Sequence, residues 1–363
     1  MRPISLLIKP VSGLCNMRCS YCFYSDVAGR REQASYGVMA SDILETLVRK
    51  ALAYAAGSCS FGFQGGEPTL AGLGFFEELL RLQKRYNVNN VRIHNAIQTN
   101  GYAMDGVWAD FFSHNNFLVG LSIDGTKEIH DKYRCDANGQ GTYDRALHAA
   151  ELLQAAGAEF NVLCVINNDV AASPGEVYSN LKKYKYLQFI PCIDDFGTLP
   201  SNLKSGYGNF LKSVFDEYYK DAKGGNYVSV QNFENYIRIM QGRGPTMCAY
   251  AGVCTCYYLI EADGSCYPCD FYVLDEWRLG NIQTDNLSKM LKSDVAKKFI
   301  DMSNQPHRDC LACAWVNLCK GGCRRYREPS EGGAMSKNIH CDALKDFFGH
   351  AYEKMEELGK LFK

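Results

Sequence analysis

The sequence predicts an α/β fold in which a partial (β/α)6 barrel of the TIM type precedes a smaller, cysteine-rich domain. Strand-like and helix-like patterns alternate six times between residues 4 and 222, which is typical of a parallel sheet whose strands are joined by helices. Most of the 17 cysteines fall into two dense sets, one near each end of the chain. A chain of 363 residues is long enough for one large domain and one small one. We expect domains at residues 1–234 and 235–345, followed by a C-terminal helix at 346–363.

Six short apolar runs are the predicted strands, two fewer than a complete barrel contains. They are residues 5–9, 59–64, 91–98, 118–123, 159–166 and 187–192. The helical pattern over residues 41–56 shows how they are joined: Ser41 can cap its first turn, and apolar side chains then recur at helical spacing. Three glycine-containing segments end strands, at residues 65–68, 98–101 and 122–125. Because α/β folds bind ligands at the carboxyl edge of the sheet, we expect the active site there.

Charge and hydropathy exclude several classes of partner. The 39 basic and 40 acidic residues leave a net charge of -1, which argues against a nucleic-acid or membrane surface. No apolar run approaches the length of about 20 residues that a transmembrane helix needs, and the first residues lack the pattern of a signal peptide. A cytoplasmic location is therefore expected. In that reducing compartment most of the cysteines need a purpose other than disulfides.

The first cysteine set lies in the loop after the first predicted strand. Its spacing is Cys15-x3-Cys19-x2-Cys22. Three thiolates so placed can hold an iron-sulfur cluster and leave its fourth iron without a protein ligand. A structural zinc site is the alternative, and it would need a fourth Cys or His, of which none occurs before Cys59 and His94.

The motif Cys-Asn-Met-Arg-Cys-Ser-Tyr-Cys at residues 15–22, together with Gly-Gly-Glu-Pro at 65–68, resembles the radical S-adenosylmethionine (radical SAM) superfamily. The resemblance implies a [4Fe-4S] cluster that cleaves S-adenosylmethionine to a 5'-deoxyadenosyl radical. It also implies that Glu67 accepts from the cofactor's ammonium group and that Arg134 pairs with its carboxylate. The cofactor-binding residues that it implies are Tyr21, Gly65, Gly66, Glu67, Asn100, Ser122 and Arg134. For Asn100, Ser122 and Arg134 the alternative is a strand-end cap or a surface ion pair.

The second cysteine set supplies enough thiolates for two centres with four ligands each. Two zinc sites are one interpretation, since ligand spacing alone does not separate zinc from iron-sulfur. The set resembles the SPASM extension of radical SAM peptide-modifying enzymes, which implies two auxiliary [4Fe-4S] clusters. By position, the resemblance assigns Cys248, Cys254, Cys269 and Cys323 to the first cluster, and Cys310, Cys313, Cys319 and Cys341 to the second.

A hairpin pattern tests one of these ligands. Asp263-Gly264 lies between two strand-like runs and predicts a two-residue turn that pairs residue 262 with residue 265. In that register Cys269 lies opposite Tyr258, on the same face as Cys254 and Cys256, while Cys266 points to the other face. Regular pairing favours Cys256 as the ligand, whereas the resemblance favours Cys254. We expect Cys254 to be the ligand, because regular pairing need not hold if the strand ends before Cys254 is reached.

A basic run surrounds one of the predicted ligands. Lys320, Arg324, Arg325 and Arg327 flank Cys323. In isolation such a run suggests nucleic-acid binding, but nothing else in the chain supports that function. We expect these charges to offset the negative charge of a thiolate-ligated cluster.

Asp270 follows the predicted ligand Cys269 directly, and over essentially its whole length the chain resembles the anaerobic sulfatase-maturating enzymes. The resemblance implies an oxidoreductase that converts a sulfatase cysteine or serine, within a Cys/Ser-x-Pro/Ala-x-Arg segment, to Cα-formylglycine. It implies Asp270 as the base and Tyr24 and Gln64 as peptide contacts, although Asp270 could also be a plain strand-end aspartate. The implied partners are an unfolded or nascent sulfatase polypeptide and an electron donor such as flavodoxin or ferredoxin.

Two rival functions remain open at this point. Another radical SAM/SPASM peptide maturase, one that forms thioether or carbon crosslinks, would share every cluster motif. Such relatives often carry an added N-terminal domain, which is not expected where the first strand begins near residue 4. An iron-sulfur electron carrier or a zinc-stabilised binding module is the rival from a different class. Neither would need a three-cysteine open site, the Gly-Gly-Glu-Pro segment or six strand-helix units.

Overall fold

A computed structural model describes residues 3–196, 203, 205–328 and 335–361. Its strands are β1 Ile4–Ile8, β2 Ser58–Phe63, β3 Arg92–Thr99, β4 Phe117–Ser122, β5 Phe160–Ile166, β6 Tyr186–Pro191, β7 Ser229–Val230, β8 Tyr258–Ile260, β9 Ser265–Tyr267 and β10 Gly280–Asn281. The six predicted strands are β1 to β6, and each observed boundary lies within one residue of the predicted one. No helix in these ranges has the length and apolar character needed to cross a membrane.

The helices alternate with these strands through the first two thirds of the chain. They are α1 Phe23–Gly29, α2 Ser41–Tyr54, α3 Leu73–Tyr86, α4 Gly106–His114, α5 Lys127–Tyr133, α6 Tyr143–Ala155, α7 Asn168–Ala172, α8 Pro174–Leu181, α9 Tyr207–Lys223, α10 Gln231–Met240, α11 Leu287–Met290, α12 Asp294–Ser303, α13 Arg308–Leu311, α14 Val316–Cys319 and α15 Cys341–Leu361. The predicted domain boundaries at 234/235 and 345/346 fall inside α10 and α15.

The chain forms two compact units, and the first contains residues up to 122, 134–160 and 256–299. In this unit β1 pairs in parallel with β2, β2 with β3 and β3 with β4. On the other side of β1 lies β8, also parallel, which continues into the antiparallel strands β9 and β10. The carboxyl ends of β1, β2 and β3 therefore meet at one edge, because parallel strands run in the same direction.

Apolar side chains at regular spacing build the core of the first unit. In α2 the predicted stripe is confirmed, since Leu44, Leu47, Val48, Ala51 and Leu52 are all buried. Ser41 is not the cap: it is the first helical residue, and Ala40 occupies the capping position without a side-chain hydrogen bond. The helix therefore depends on burial of its apolar face rather than on a cap.

The second unit contains residues 123–133, 161–255 and 300–363. Its parallel strands follow the order β5, β6, β7. Helices α9, α10 and α15 pack together through aromatic rings, with Phe233 stacked on Phe347 at 5.6 Å and Phe215 edge-on to Phe233 at 5.1 Å. By contrast, α13 and α14 have only four residues each. Short helices of this kind bury little apolar surface.

The β8–β9 hairpin differs from the predicted one by a single residue. Ile260 pairs with Cys266 and Leu259 with Tyr267, and the Glu261 N–H donates to the Ser265 carbonyl at 2.9 Å. The turn thus has three residues, and the last of them, Gly264, has a φ of 81°. A three-residue turn that ends on a left-handed glycine is a common hairpin connection. The predicted two-residue turn was therefore wrong, and Cys269 lies opposite position 257 rather than 258.

Candidate active site

The first cysteine set occupies the loop between β1 and α1. Cys15, Cys19 and Cys22 are each half-buried, and Cys22 is the residue that caps α1. Burial raises the pKa of Cys15; the Met17 N–H lowers it, whereas the charges of Glu67 and Cys22 raise it further. The structure therefore brings Cys15 close to Cys22 and to the Gly-Gly-Glu-Pro segment. Partly accessible thiols that influence one another in this way suit an iron-sulfur cluster.

Two glycines let the segment after β2 lie directly against the cysteine loop. Gly65 and Gly66 have φ values of 94° and 54°, in the region that favours glycine. A Cβ atom on Gly66 would lie 2.0 Å from the carbonyl oxygen of Leu14. The next residue, Glu67, donates its N–H to the same carbonyl at 2.8 Å. Residues 65–67 and the cysteine loop are therefore one packed structure.

Glu67 is buried and its carboxylate is occupied by donors from the protein. Oε1 accepts from the Thr69 N–H at 3.1 Å, the Thr69 hydroxyl at 2.7 Å and the Thr99 hydroxyl at 2.8 Å. Oε2 accepts from the Asn100 N–H at 2.8 Å. Burial raises the pKa of Glu67, and these hydrogen bonds act in the opposite direction. This network joins the ends of β2 and β3, and Oε2, which accepts one of these hydrogen bonds, can still accept another. The bond from Glu67 to the cofactor's ammonium group stays a prediction.

The other predicted cofactor residues lie close to the cysteine loop or at strand ends. Asn100 Nδ2 donates to Asn16 Oδ1 at 2.9 Å and approaches Cys15 Sγ at 3.7 Å. Its Oδ1 accepts from the Tyr102 N–H at 2.9 Å, so Asn100 is also a strand-end cap. Ser122 Oγ accepts from Gln98 Nε2 at 3.1 Å. These positions agree with a pocket at the carboxyl edge of the sheet.

Arg134 is buried rather than exposed at the surface. Only 7% of it is exposed, and its guanidinium lies 5.4 Å from the centre of the Tyr21 ring, inside the cysteine motif. A buried guanidinium over an aromatic face is favourable and costly to remove. The structure therefore places Tyr21 and Arg134, both predicted to bind the cofactor, in contact with each other.

The predicted base Asp270 and the predicted peptide contact Gln64 lie near α1, which contains the other predicted peptide contact, Tyr24. Gln64 Nε2 donates to the Tyr24 hydroxyl at 2.8 Å. Burial raises the pKa of Tyr24 well above its ordinary value, and the nearby charges of Asp270, Cys22 and Cys269 contribute. Phe23 packs edge-on against Phe271 at 4.8 Å, which joins α1 to the turn at Asp270–Tyr272. The first cysteine set and Asp270 therefore lie close together, although 247 positions separate Asp270 from Phe23.

A tyrosine that sequence reasoning missed contacts Asp270. The Tyr257 hydroxyl donates to Asp270 Oδ1 at 2.5 Å and accepts from the Asp270 N–H at 3.0 Å. Burial raises the pKa of Tyr257 well above its ordinary value, with further contributions from Asp270 and Cys269, so its hydroxyl stays protonated. The sequence did contain a signal: with a three-residue turn, the hairpin pairing places Tyr257 opposite Cys269.

The predicted ligands of the second auxiliary cluster lie around one cavity in the second unit. Cys310, Cys313, Cys319 and Cys341 line it together with Trp315 and Phe348. Burial raises the pKa of Cys319 to about 11, and the charges of Cys341, Cys310 and Cys313 also raise it. Among the residues that the structure describes, no three His, Cys, Asp or Glu side chains form a site for a single metal ion. The donor set of four thiols suits a cluster, which binds one thiolate at each iron.

The structure distinguishes Cys254 from Cys256. Burial raises the pKa of Cys254, while Ser303, the charges of Arg324 and Arg327, and a hydrogen bond from the Arg324 N–H all lower it. Cys254 thus lies beside the residue that follows Cys323. Cys256 Sγ points to the Ala296 carbonyl oxygen at 3.8 Å, in the first unit. This geometry supports Cys254 as the ligand rather than Cys256, which regular hairpin pairing favoured.

The remaining cysteines differ in exposure. Cys248 is exposed at the start of a short 3-10 turn in the second unit, whereas Cys269 belongs to the first unit. Cys266 is completely buried, with its Sγ 3.6 Å from the Gly264 carbonyl oxygen. Because the observed register pairs it with Ile260, its burial, and not the predicted register, supports its exclusion as a ligand. Cys59, Cys164 and Cys192, which lie in or directly after strands, are buried.

The basic run around Cys323 does not form a nucleic-acid surface. Arg324, Arg325 and Arg327 are only 2%, 8% and 2% exposed. Arg325 donates to the Asp194 carbonyl oxygen at 2.5 Å, and Arg327 donates to the Ser303 carbonyl oxygen at 2.8 Å. Buried guanidinium groups beside Cys254 and Cys323 support the interpretation that they offset cluster charge.

Comparison with known proteins identifies two families in the chain. Residues 10–177 match the radical SAM superfamily, and residues 248–314 match an iron-sulfur cluster-binding domain known as SPASM. The chain is 45% identical over 362 residues to a cysteine-type anaerobic sulfatase-maturating enzyme of Clostridium perfringens, with 98% of each chain covered. It is 29% identical over 387 residues to a serine-type enzyme of Bacteroides thetaiotaomicron, with 99% of this chain and 92% of the relative covered.

Solved structures give the same result. Native anSMEcpe with bound AdoMet and Cp18Cys peptide matches with a TM-score of 0.94 and 44% identity over 100% of both chains. SuiB of Streptococcus suis bound to S-adenosylmethionine matches with a TM-score of 0.64 over 93% of this chain and 77% of that one. At 16% identity the second likeness concerns the fold alone. The predicted fold class, a partial barrel with a C-terminal SPASM domain, is thereby confirmed.

Proposed function

Because this chain belongs to the anaerobic sulfatase-maturating enzymes of the radical SAM superfamily, we propose that it oxidises the active-site cysteine of a sulfatase to Cα-formylglycine. The observation that carries the proposal is 45% identity to a cysteine-type enzyme over 98% of both chains. The serine-type relatives are more distant, at 29% and 30% identity. A cysteine within a Cys-x-Pro/Ala-x-Arg segment is therefore the preferred substrate.

The enzyme's cofactors are S-adenosylmethionine and [4Fe-4S] clusters. Cys15, Cys19 and Cys22 hold the cluster of the radical SAM site, and the second cysteine set holds two auxiliary clusters. When bound, S-adenosylmethionine and its cluster would supply the radical that takes a Cβ hydrogen atom from the substrate, and an auxiliary cluster would take up the remaining electron. The partly accessible loop at residues 15–22 and the cavity around Cys319 support these assignments.

The side chains beside α1 handle the peptide and its proton. Asp270 removes the proton of the substrate thiol, so that loss of one hydrogen atom, one proton and one electron leaves a thioaldehyde. Hydrolysis of the thioaldehyde then gives formylglycine and hydrogen sulfide. Tyr24 and Gln64, held together by their hydrogen bond, orient the peptide beside Asp270. The influence of Asp270 on the pKa of Tyr24 supports a shared site for these groups.

The partners follow from this chemistry. The substrate is an unfolded or nascent sulfatase polypeptide, which agrees with the peptide bound to the relative of solved structure. A low-potential carrier such as flavodoxin or ferredoxin reduces the radical SAM cluster. We place the reaction in the cytoplasm, where a reducing environment keeps both the cluster thiolates and the substrate thiol from forming disulfides.

Anaerobic reconstitution with iron and sulfide tests the proposal. The loaded enzyme is incubated with S-adenosylmethionine, a reductant and either a Cys-x-Pro-x-Arg peptide or its serine counterpart, and the aldehyde is captured with a hydrazide. We expect aldehyde from the cysteine peptide, at a higher rate than from the serine peptide. Deoxyadenosine without aldehyde on both peptides would contradict the proposal and favour a crosslinking maturase.

A further inference from the structure

The hydroxyl of Tyr257 lies between Asp270 and a predicted cluster ligand. It approaches Asp270 Oδ1 at 2.5 Å and Cys269 Sγ at 3.5 Å, and the Asp270 N–H donates back to it at 3.0 Å. Cys269 Sγ itself lies 3.4 Å from Asp270 Oδ1. Four polar groups therefore meet within a small volume, and Tyr257 contacts all of the other three.

Ligation of iron by Cys269 changes which of these groups can donate a hydrogen bond. A cysteine bound to iron is a thiolate and carries no proton, so Cys269 cannot then donate to Asp270. Two negatively charged groups would instead face each other at 3.4 Å, and their repulsion favours rotation of the carboxylate away from the thiolate. Within the described residues, the Tyr257 hydroxyl is the side-chain donor to Asp270 that remains once Cys269 is a thiolate. Tyr257 is thus the group that can hold the carboxylate next to the thiolate.

The backbone keeps Tyr257 in place for this task. Tyr257 directly precedes β8, and its N–H donates to the Pro268 carbonyl oxygen at 3.2 Å, across the hairpin. The same hairpin carries Cys269 and Asp270 on its other arm. A side chain on a rigid hairpin that makes two hydrogen bonds to one residue restricts the rotation of that residue.

We propose that Tyr257 is a positioning residue that fixes the Asp270 carboxylate beside the thiolate of Cys269 and leaves its second oxygen to face the substrate. This inference rests on the proposed function, in which Asp270 is the base. Because Oδ1 is bound by Tyr257, Oδ2 is the oxygen available for the thiol proton. The same hydroxyl proton, directed mainly at Oδ1, also lies near the ligand sulfur Cys269 Sγ, which is 3.5 Å from the hydroxyl oxygen, and a positive partial charge close to a ligand sulfur raises the reduction potential of its cluster.

The test compares Tyr257→Phe with Tyr267→Phe in the fully reconstituted enzyme. Tyr267 lies on β9 of the same hairpin, and its buried hydroxyl has no hydrogen-bond partner among the described residues, Asp270 included. Four quantities are measured for each variant: iron content, kcat and KM for the cysteine peptide, deoxyadenosine formed per aldehyde, and the midpoint potentials of the auxiliary clusters.

For Tyr257→Phe we expect unchanged iron, a kcat at least tenfold lower, a KM within threefold of the parent value and more deoxyadenosine per aldehyde. One auxiliary potential should become more negative. Tyr267→Phe should match the parent in all four. The inference is overturned if Tyr257→Phe keeps kcat and the potentials of the parent, or if its activity and iron fall in the same proportion. If the parent enzyme itself makes no aldehyde, the proposed function fails, and the potential shift still tests the placement of Tyr257.

Discussion

Single side chains at the active site work through short contacts with partners that are distant in sequence. Asp270 illustrates this, because its bonds to Tyr257 and its proximity to Tyr24 place one carboxylate between the β8–β9 hairpin and α1. If Asp270 is the base, as proposed, its substitution should affect proton removal without affecting iron binding. Substitution of a single residue can therefore distinguish an effect on the reaction from an effect on cluster assembly.

Asp270→Asn should lower the rate of aldehyde formation by about a hundredfold or more, since an amide cannot accept the thiol proton in place of the carboxylate. Iron content should remain that of the parent. The matched control is Asp275→Asn, an exposed aspartate in the next turn that accepts the Glu32 N–H, and it should keep the parent rate. Loss of iron in Asp270→Asn would instead show that this residue is structural.

Cys254→Ala and Cys256→Ala should differ in their iron content. We expect Cys254→Ala to lose iron and the spectroscopic signal of one auxiliary cluster, because Cys254 lies beside Arg324 and so beside Cys323. Cys256→Ala should retain both, since its sulfur faces the Ala296 carbonyl. Iron analysis and electron paramagnetic resonance of the anaerobically purified proteins check this prediction, and the reverse pattern would assign the ligand to Cys256.

At the scale of elements, a buried ion triad connects β1, the segment after α1 and the end of β8. Glu261 Oε1 accepts from Lys9 Nζ at 2.7 Å and from Arg31 at 2.7 Å, and all three side chains are buried. Burial acts to raise the pKa of Glu261, but Lys9 and Arg31 outweigh it and hold the pKa below its ordinary value. The Lys9 side chain lies against Gly65, so the triad also supports the segment that packs on the cysteine loop.

Glu261→Gln should destabilise the folded enzyme by about 3 kcal/mol or more, because it leaves two buried cations without a counter-charge. Anaerobic denaturation in guanidinium chloride, followed by tryptophan fluorescence, measures the effect as a lower midpoint. The control is Glu78→Gln, which breaks an exposed pair with Arg81 and should leave the midpoint unchanged. Equal midpoints for the two variants would show that the triad contributes little to stability.

The lowered pKa of Glu261 determines how the stability of the folded enzyme changes with pH. A carboxylate whose pKa is lower in the folded state than in the unfolded state stabilises the fold above its unfolded pKa. That contribution is lost as the pH falls through the folded value. The difference in midpoint between the parent enzyme and Glu261→Gln should therefore be full at neutral pH and shrink in acid.

At the scale of the whole molecule, the two units differ in what holds them together. The first has a parallel sheet with a buried apolar core, whereas the cysteine-rich part of the second has four-residue helices and turns. Segments that bury little apolar surface need another source of folding free energy, and ligation of iron can supply it. The clusters are therefore expected to be structural as well as chemical.

Removal of iron should expose the cysteine-rich segment to proteolysis. In the apo chain we expect new cleavage sites within residues 305–328 and 335–340, while α9, α10 and α15 stay protected by their aromatic packing. Limited proteolysis of apo and reconstituted enzyme, with the fragments identified by mass spectrometry, checks this expectation. Identical cleavage patterns would mean that the segment folds without metal.

Much of this protein's structure could be predicted because the sequence patterns that indicate it involve only neighbouring residues. Strands β1 to β6 follow from apolar runs and turn residues, so predicted and observed boundaries differ by no more than one residue. The eight-residue cysteine motif and the Gly-Gly-Glu-Pro segment were sufficient to predict the superfamily. Fold class, enzyme class, cofactors and sulfatase maturation are confirmed by the comparisons. The domain boundaries and the individual site residues remain predictions.

By itself, the sequence determined which segments are strands and which thiols belong to a cluster motif, because periodicity and spacing are properties of a few neighbouring residues. Only the tertiary structure decided the register of the β8–β9 hairpin, the internal bonds of Glu67 and the placement of Tyr257 beside Asp270. One extra residue in a turn moves every later side chain to the opposite face of a strand. Contacts of this kind depend on the packing of distant segments, so no local pattern contains them.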